Sequence, residues 1–385
     1  MTTKAGLRLE YLDGLRAASS LYVVLFHAGL GFSPEQARLP VSIRNLQRAL
    51  SFGHDAVAVF IVLSGYCLML PVARAEGRMT RGVASYFARR AWRILPPYFA
   101  TLFATLLLLS LVPILETPTK TIWDDTSPAF TTGPIVSHLL LVHNWFPDWT
   151  HRINGPLWSV ATEWQIYFFF PFFLLPIWRR FGALATLLAG FTLGCSLIWL
   201  APGAAGSINS WYLGLFALGM CASGVGFASR SLERTLRERA PWGLLSLGLL
   251  LVVGLGITVF IKRWFAFMPL TDSLVGAASA CALVYLTRYA ARPAHEARPL
   301  VLRVFESPPL VLVGRFSYSL YLTHLPIVAL CYFGLRRYEL SPAATWTSLV
   351  LLSLPLALAF AYGFFLVFER RFVGSPPPLF RKGRA

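Results

Sequence analysis

The stretch Tyr11-Leu-Asp-Gly-Leu-Arg-Ala-Ala-Ser-Ser-Leu-Tyr-Val-Val-Leu-Phe-His-Ala-Gly-Leu-Gly31 decides how the rest of the chain is read. An α-helix needs ~20 mostly apolar residues to cross ~30 Å of hydrocarbon, and this run has that length. It also carries Asp13, Arg16 and His27. A charge near the middle of a bilayer costs ~2.5 kcal/mol or more, so each of these residues needs a partner, a cavity or a task. The charged residues at its start and the lack of a small-residue cleavage site argue against a cleaved signal peptide. The segment is expected to stay as the first membrane helix.

Outward from it, comparable apolar runs recur near 54–72, 97–115, 156–178, 183–201, 210–228, 242–261, 272–290, 316–334 and 345–368. With 12–31 they make ten expected spans. The fold class is therefore all-α, a polytopic membrane helix bundle forming one domain over residues 1–372, with a Pro-rich, basic tail at 373–385. Composition agrees: 56% of the 385 residues are hydrophobic and 13% are charged, against roughly a quarter charged in soluble domains. The net charge of +17 could suit nucleic acid, but the Lys and Arg residues sit in clusters between apolar runs, so no nucleic-acid partner is expected. Most of the 34 fall in alternate loops: the N-terminus, 74–93, 179–180, 230–239, 288–315 and 370–384. Positive charge concentrates on the cytoplasmic side, which places both termini there. The longest outer loop, 116–155, contains an apolar piece, Pro134 to Asn144, expected as an interfacial or re-entrant helix. Five cysteines lie apart in apolar segments without ligand spacing and read as inert buried thiols, and no metal site is expected.

Polar residues inside the spans carry the chemistry. From Arg16 to His27 the helix turns about 1100°, returning to within ~20° of the same face ~16 Å further along. Asp13 lies one turn before Arg16, so the three form a stripe. Asp13 and Arg16 read equally as interface anchors or as site residues. His27 reads as a hydrogen-bonding residue near the outer interface or, more in keeping with an imidazole that titrates near working pH, as a general base. Glu163, with Trp158, Ser159, Thr162 and Gln165 around it, reads as part of a polar and aromatic wall suited to a sugar-like ligand or as a structural ion pair. Ser64 and Gly65 read as a close-contact point, and Asp55 beside His54 as serving a helix N-terminus. Arg89, Arg90 and Arg93 read as cytoplasmic anchors or, for the helically spaced pair Arg90 and Arg93, as a phosphate clamp. Ser317, Tyr321 and His324 share one face of the ninth span.

In this order the motifs resemble acyltransferase family 3, membrane O-acyltransferases that decorate polysaccharides, peptidoglycan, Nod factors and macrolides. The resemblance covers about 8 to 370. It rests on Tyr11-Leu-Asp-Gly-Leu-Arg-Ala17 with His27, Val59-Phe-Ile-Val-Leu-Ser-Gly-Tyr66, Arg90-Ala-Trp-Arg-Ile-Leu-Pro-Pro-Tyr98, Pro156-Leu-Trp-Ser159 with Glu163, and Phe316-Ser-Tyr-Ser-Leu-Tyr-Leu-Thr-His324. Phe60-Ile61 stands where many relatives have two phenylalanines.

The resemblance implies an acyl-CoA-dependent O-acetyltransferase in a bacterial cytoplasmic membrane, with a carbohydrate-type acceptor. Its Arg-x10-His pattern falls on Arg16 and His27, and its Arg-x-x-Arg pattern on Arg90 and Arg93, beside Arg89, where acetyl-CoA is expected to bind. His27, Arg16, Asp13 and Glu163 become candidate catalytic residues, and Ser64, Trp158, Ser159, Tyr318, Tyr321 and His324 candidate pocket residues. Some relatives append an extracytoplasmic domain, so here the membrane domain is expected to handle the acceptor itself. The rival class is a transporter or flippase, since intramembrane charges also mark solute pathways, although no paired halves with matching broken helices are evident.

Overall fold

The computed structural model describes residues 9–32, 38–227, 231–260, 268–292 and 297–374. The N-terminal eight residues and the tail from 375 lie outside them. All secondary structure among the described residues is helical. Each apolar run becomes a helix: α1 (Glu10–Phe26), α2 (Gly53–Arg74), α3 (Gly82–Leu111), α4 (Leu157–Phe169), α5 (Leu175–Leu200), α6 (Tyr212–Phe227), α7 (Trp242–Phe260), α8 (Met268–Ala290), α9 (Ser317–Leu335) and α10 (Pro342–Phe364).

By length and hydropathy six continuous helices among the described residues can cross a membrane, or up to eight if two bent pairs are each one span. This differs from the expected ten for physical reasons. The run Leu157–Leu200 counts once, although it joins α4 to α5 through a π turn at Phe170–Leu174 and breaks at Gly182, whose φ of 84° lies outside the helical region. The first helix is short and loaded with Glu10, Asp13 and Arg16.

The third helix also starts earlier than the apolar pattern indicated. Pro96 and Pro97 sit inside α3 rather than opening it, so Arg89, Arg90 and Arg93 project from a membrane helix and not from a loop. The outer loop 116–155 contains the helix Thr132–Leu139, which overlaps the first half of the expected apolar piece. There His138 and His143 stack at 3.7 Å, fully buried. Burial pushes His138 down to about 4 and His143 well below the usual imidazole range, so the pair is a neutral packing element.

Helix α2 is the hub, packed against α6, α1 and α8. Without a hydrophobic drive between helices in lipid, close approach depends on small residues. A Cβ on Gly219 would lie 1.9 Å from the Val62 carbonyl oxygen, and one on Gly65 2.1 Å from that of Phe216. The hydroxyls of Tyr11, Tyr66 and Thr287 tie α1, α2 and α8 together, with Thr287 Oγ1 2.7 Å from Tyr11 and 2.5 Å from Tyr66. Leu184, Leu188, Leu251 and Leu351 are largely exposed on the outside, as a surface facing lipid requires. Gly219→Ala is expected to lower stability by about 1–3 kcal/mol through overpacking. Gly248→Ala, whose Cβ meets nothing within 4 Å, should leave it unchanged or slightly raised, as thermal denaturation in detergent would show.

Candidate active site

Where α1, α2, α3, α4 and α9 converge, they enclose a cavity of about 320 Å³. Its wall brings together eight of the residues singled out in the sequence: Arg16, Ser64, Arg90, Arg93, Ser159, Glu163, Tyr318 and Tyr321. Helical spacing explains the assembly. Ser64 lies one turn from Ile61 and Cys67 on α2, Ser159 one turn before Glu163 on α4, and Tyr318 one turn before Tyr321 on α9.

Arg16 Nη1 donates to Asp13 Oδ1 at 3.0 Å, an i, i+3 pair that gives each of these two charges a partner. Asp13 itself stays outside the wall and holds Arg16. The other Arg16 arm, Nη2, donates to Cys67 Sγ at 3.0 Å. Cys67 therefore faces the cavity, and all five cysteines are half-buried rather than enclosed, against the sequence reading. The Tyr167 hydroxyl, in the same wall, donates to Glu163 Oε1 at 2.6 Å and lies 3.0 Å from Ser64 Oγ. Ser159 Oγ lies 2.6 Å from the Tyr321 hydroxyl, and Tyr318 donates to the Ile94 carbonyl at 3.1 Å.

Arg90 and Arg93 make no hydrogen bond to protein among the described residues, and Arg90 Nε is buried without a partner. Glu369, almost fully buried, accepts from Ser319 N and Oγ at 3.1 and 2.5 Å and lies in electrostatic range of Arg93. Arg89 bonds Ser85 and lines a second cavity of about 390 Å³. That cavity adds Arg78 and Arg81 and shares Cys67, Leu68 and Arg90 with the first, so the two are contiguous.

His27 is not in the main wall. It opens a π turn, His27–Gly31, whose Gly29 carbonyl accepts from Gln47 Nε2 at 2.9 Å and from Trp346 Nε1 at 2.5 Å. Its Nδ1 lies 2.9 Å from the Val23 carbonyl and 3.0 Å from His324 Nε2. Buried His324 sits one turn beyond Tyr321 on α9, and its Nδ1 lies 2.8 Å from the Tyr321 carbonyl. A carbonyl only accepts, so His324 Nδ1 carries the proton and its Nε2 is a lone-pair acceptor. His27 must then donate through Nδ1, which leaves its Nε2 as the basic nitrogen. Arg16 thus reaches the main cavity, while His27 meets α9 at His324.

Trp158 also departs from the main cavity: it lines a separate outer cavity with His54. His54 and Asp55 do more than open α2, since His54 Nε2 lies 3.0 Å from buried Asp272 Oδ2 on α8. Tyr167, Cys67, Asp272 and Glu369 were not singled out as site residues in the sequence. Only Asp272 and Glu369 carried a signal, as acidic residues at span ends. No group of three or more His, Cys, Asp or Glu residues able to hold a metal occurs among the described residues.

A family model described as an acyltransferase domain matches residues 9–364. The Bacillus subtilis (strain 168) protein named "Putative peptidoglycan O-acetyltransferase YrhL" is 25% identical over 175 residues, which cover 43% of this chain and 23% of that protein. The chain thus aligns with less than a quarter of that relative's length. No solved structure matches.

Proposed function

Because the chain belongs to acyltransferase family 3, we propose that it moves an acetyl or other short acyl group from cytoplasmic acyl-CoA to a hydroxyl of a carbohydrate-type acceptor. The observation that carries this reading is the contiguity of two cavities, an arginine-walled one at the basic end of α2 and the main one, which share Cys67, Leu68 and Arg90 in their walls. An acyl-CoA has the matching shape, with phosphates at one end and a narrow arm ending in the thioester. Guanidiniums with unspent donors suit phosphate oxygens. In this reading Arg90, Arg93 and Arg89 hold the phosphates and the pantetheine arm runs into the main cavity past Cys67. The positive-inside pattern of the sequence supports a donor arriving from the cytoplasm at this end.

Arg16, steadied by Asp13, stabilises the negative charge that develops on the thioester oxygen. His27 Nε2 takes the acceptor hydroxyl proton as that oxygen attacks the thioester carbonyl carbon. The new C–O ester bond forms, the C–S bond breaks, and the departing thiolate recovers the proton from the imidazolium. Glu163, Tyr167 and Ser64 form a hydrogen-bonded wall that orders the cavity.

The reading is tested with protein in nanodiscs given labelled acetyl-CoA and soluble saccharides. Free thiol should appear only with acceptor present and in step with ester formation. A chain that carries saccharide across vesicles while leaving the thioester intact would be a transporter, and the proposal would fall.

A further inference from the structure

The outer cavity, about 270 Å³, lies at the end of α2 away from the arginines. His54 lines it, 13 residues before Cys67 in the donor-side wall, a separation of ~20 Å along a helix. Thr150, His151, Trp158, Ser207 and Asn209 are among its walls, and no Asp, Glu, Lys or Arg among the described residues is. The contrast with the cavity of Arg78, Arg81, Arg89 and Arg90 is chemical: one end suits an anion, the other a neutral ligand rich in hydroxyls.

The imidazole there is held rigidly. His54 Nε2 lies 3.0 Å from Asp272 Oδ2 and 3.0 Å from the Tyr212 hydroxyl, while Trp211 Nε1 donates to the same carboxylate oxygen at 2.8 Å. Asp272 is fully buried, and a buried carboxylate fixes the imidazole tautomer by accepting from one nitrogen. With Nε2 so engaged, Nδ1 makes no hydrogen bond among the described residues. The His54 ring stacks on Trp158 at 5.6 Å and 11°. Trp158 leads directly into Ser159 of the main wall, and His151 lies in electrostatic range of both His54 and His27.

We propose that this cavity is the acceptor subsite: a neutral saccharide ring packs beside Trp158 while His54, oriented by Asp272, binds one of its hydroxyls. The subsite rests on the transferase reading above and adds that the sugar enters at the face opposite the donor. His54 is here a binding residue and Asp272 a positioning residue.

Gly206 gives a clean probe, since it lines the cavity and a Cβ there meets nothing within 4 Å. Gly206→Trp should fill the space without disturbing the packing. The probes are an N-acetylglucosamine tetrasaccharide and a muramyl disaccharide, assayed with labelled acetyl-CoA. Gly206→Trp and Asp272→Asn should each raise the saccharide KM at least tenfold and leave the acetyl-CoA KM unchanged. A Ser207→Cys chain should react with a membrane-impermeant thiol reagent beyond the parent chain's labelling, and saccharide should protect it.

Transfer at the parental saccharide KM in Gly206→Trp overturns the subsite and leaves the transferase standing. Saccharide protection that Gly206→Trp abolishes, without any transfer, supports the subsite and overturns the transferase. Neither protection nor transfer overturns the subsite.

Discussion

His27→Ala is expected to lower acyl transfer by ~10²–10⁴-fold, the usual contribution of a general base, with acetyl-CoA affinity unchanged. The expectation follows from the proton positions. His324 Nδ1–H donates a hydrogen bond to the Tyr321 carbonyl, so its Nε2 accepts from His27 Nδ1 at 3.0 Å. When His27 takes a proton on Nε2, that shared hydrogen bond becomes one from a cation, and such bonds contribute about 1.5–3 kcal/mol. The gain exists only once charge has developed, so His324→Leu should lower kcat by ~10–150-fold and leave both KM values in place. His324→Gln, whose Oε1 can still accept, should recover part of the loss. Transfer by His27→Ala near the parental rate would remove the imidazole from the reaction.

The parts of the site legible in the sequence are those fixed within one helix. Asp13 and Arg16 pair across a single turn, Arg90 and Arg93 are one turn apart, and the expense of placing charge in lipid marks Arg16 and Glu163 without any knowledge of packing. What was not legible depends on which helices touch. His27 meets His324 across 297 residues and His54 meets Asp272 across 218. No local periodicity encodes either pair. Tyr167 was hidden for a different reason: it sits in an aromatic run, Trp164 to Phe173, where its hydroxyl leaves the apolar pattern intact. Trp158 and Ser159 are adjacent, yet successive helix positions differ by ~100°, which turns one to the outer cavity and the other to the inner wall. The break at Gly182 and the π turns lie within runs that remain apolar throughout, so hydropathy passes over them.

The double replacement Arg90→Ala with Arg93→Ala should weaken acetyl-CoA binding by ~10²-fold or more, since a hydrogen bond to a charged group contributes about 1.5–3 kcal/mol and two guanidiniums are removed. Neither side chain spends its donors on protein among the described residues, so their loss leaves no internal carboxylate unpaired by hydrogen bonding, and folding should persist. The discriminating comparison is acetyl-pantetheine, which has the same thioester and arm but none of the nucleotide phosphates. If the arginines grip phosphate, the double variant and the parent should handle acetyl-pantetheine alike. The parent's preference for acetyl-CoA should also shrink as salt rises, because screening weakens partly exposed charge pairs. Equal losses on both donors would mean that the arginines act on the cavity's shape or on the thioester, and the phosphate assignment would fail. Arg16→Ala provides the opposite pattern: its guanidinium is already committed to Asp13 and Cys67, so it should depress turnover of both donors together and affinity for neither.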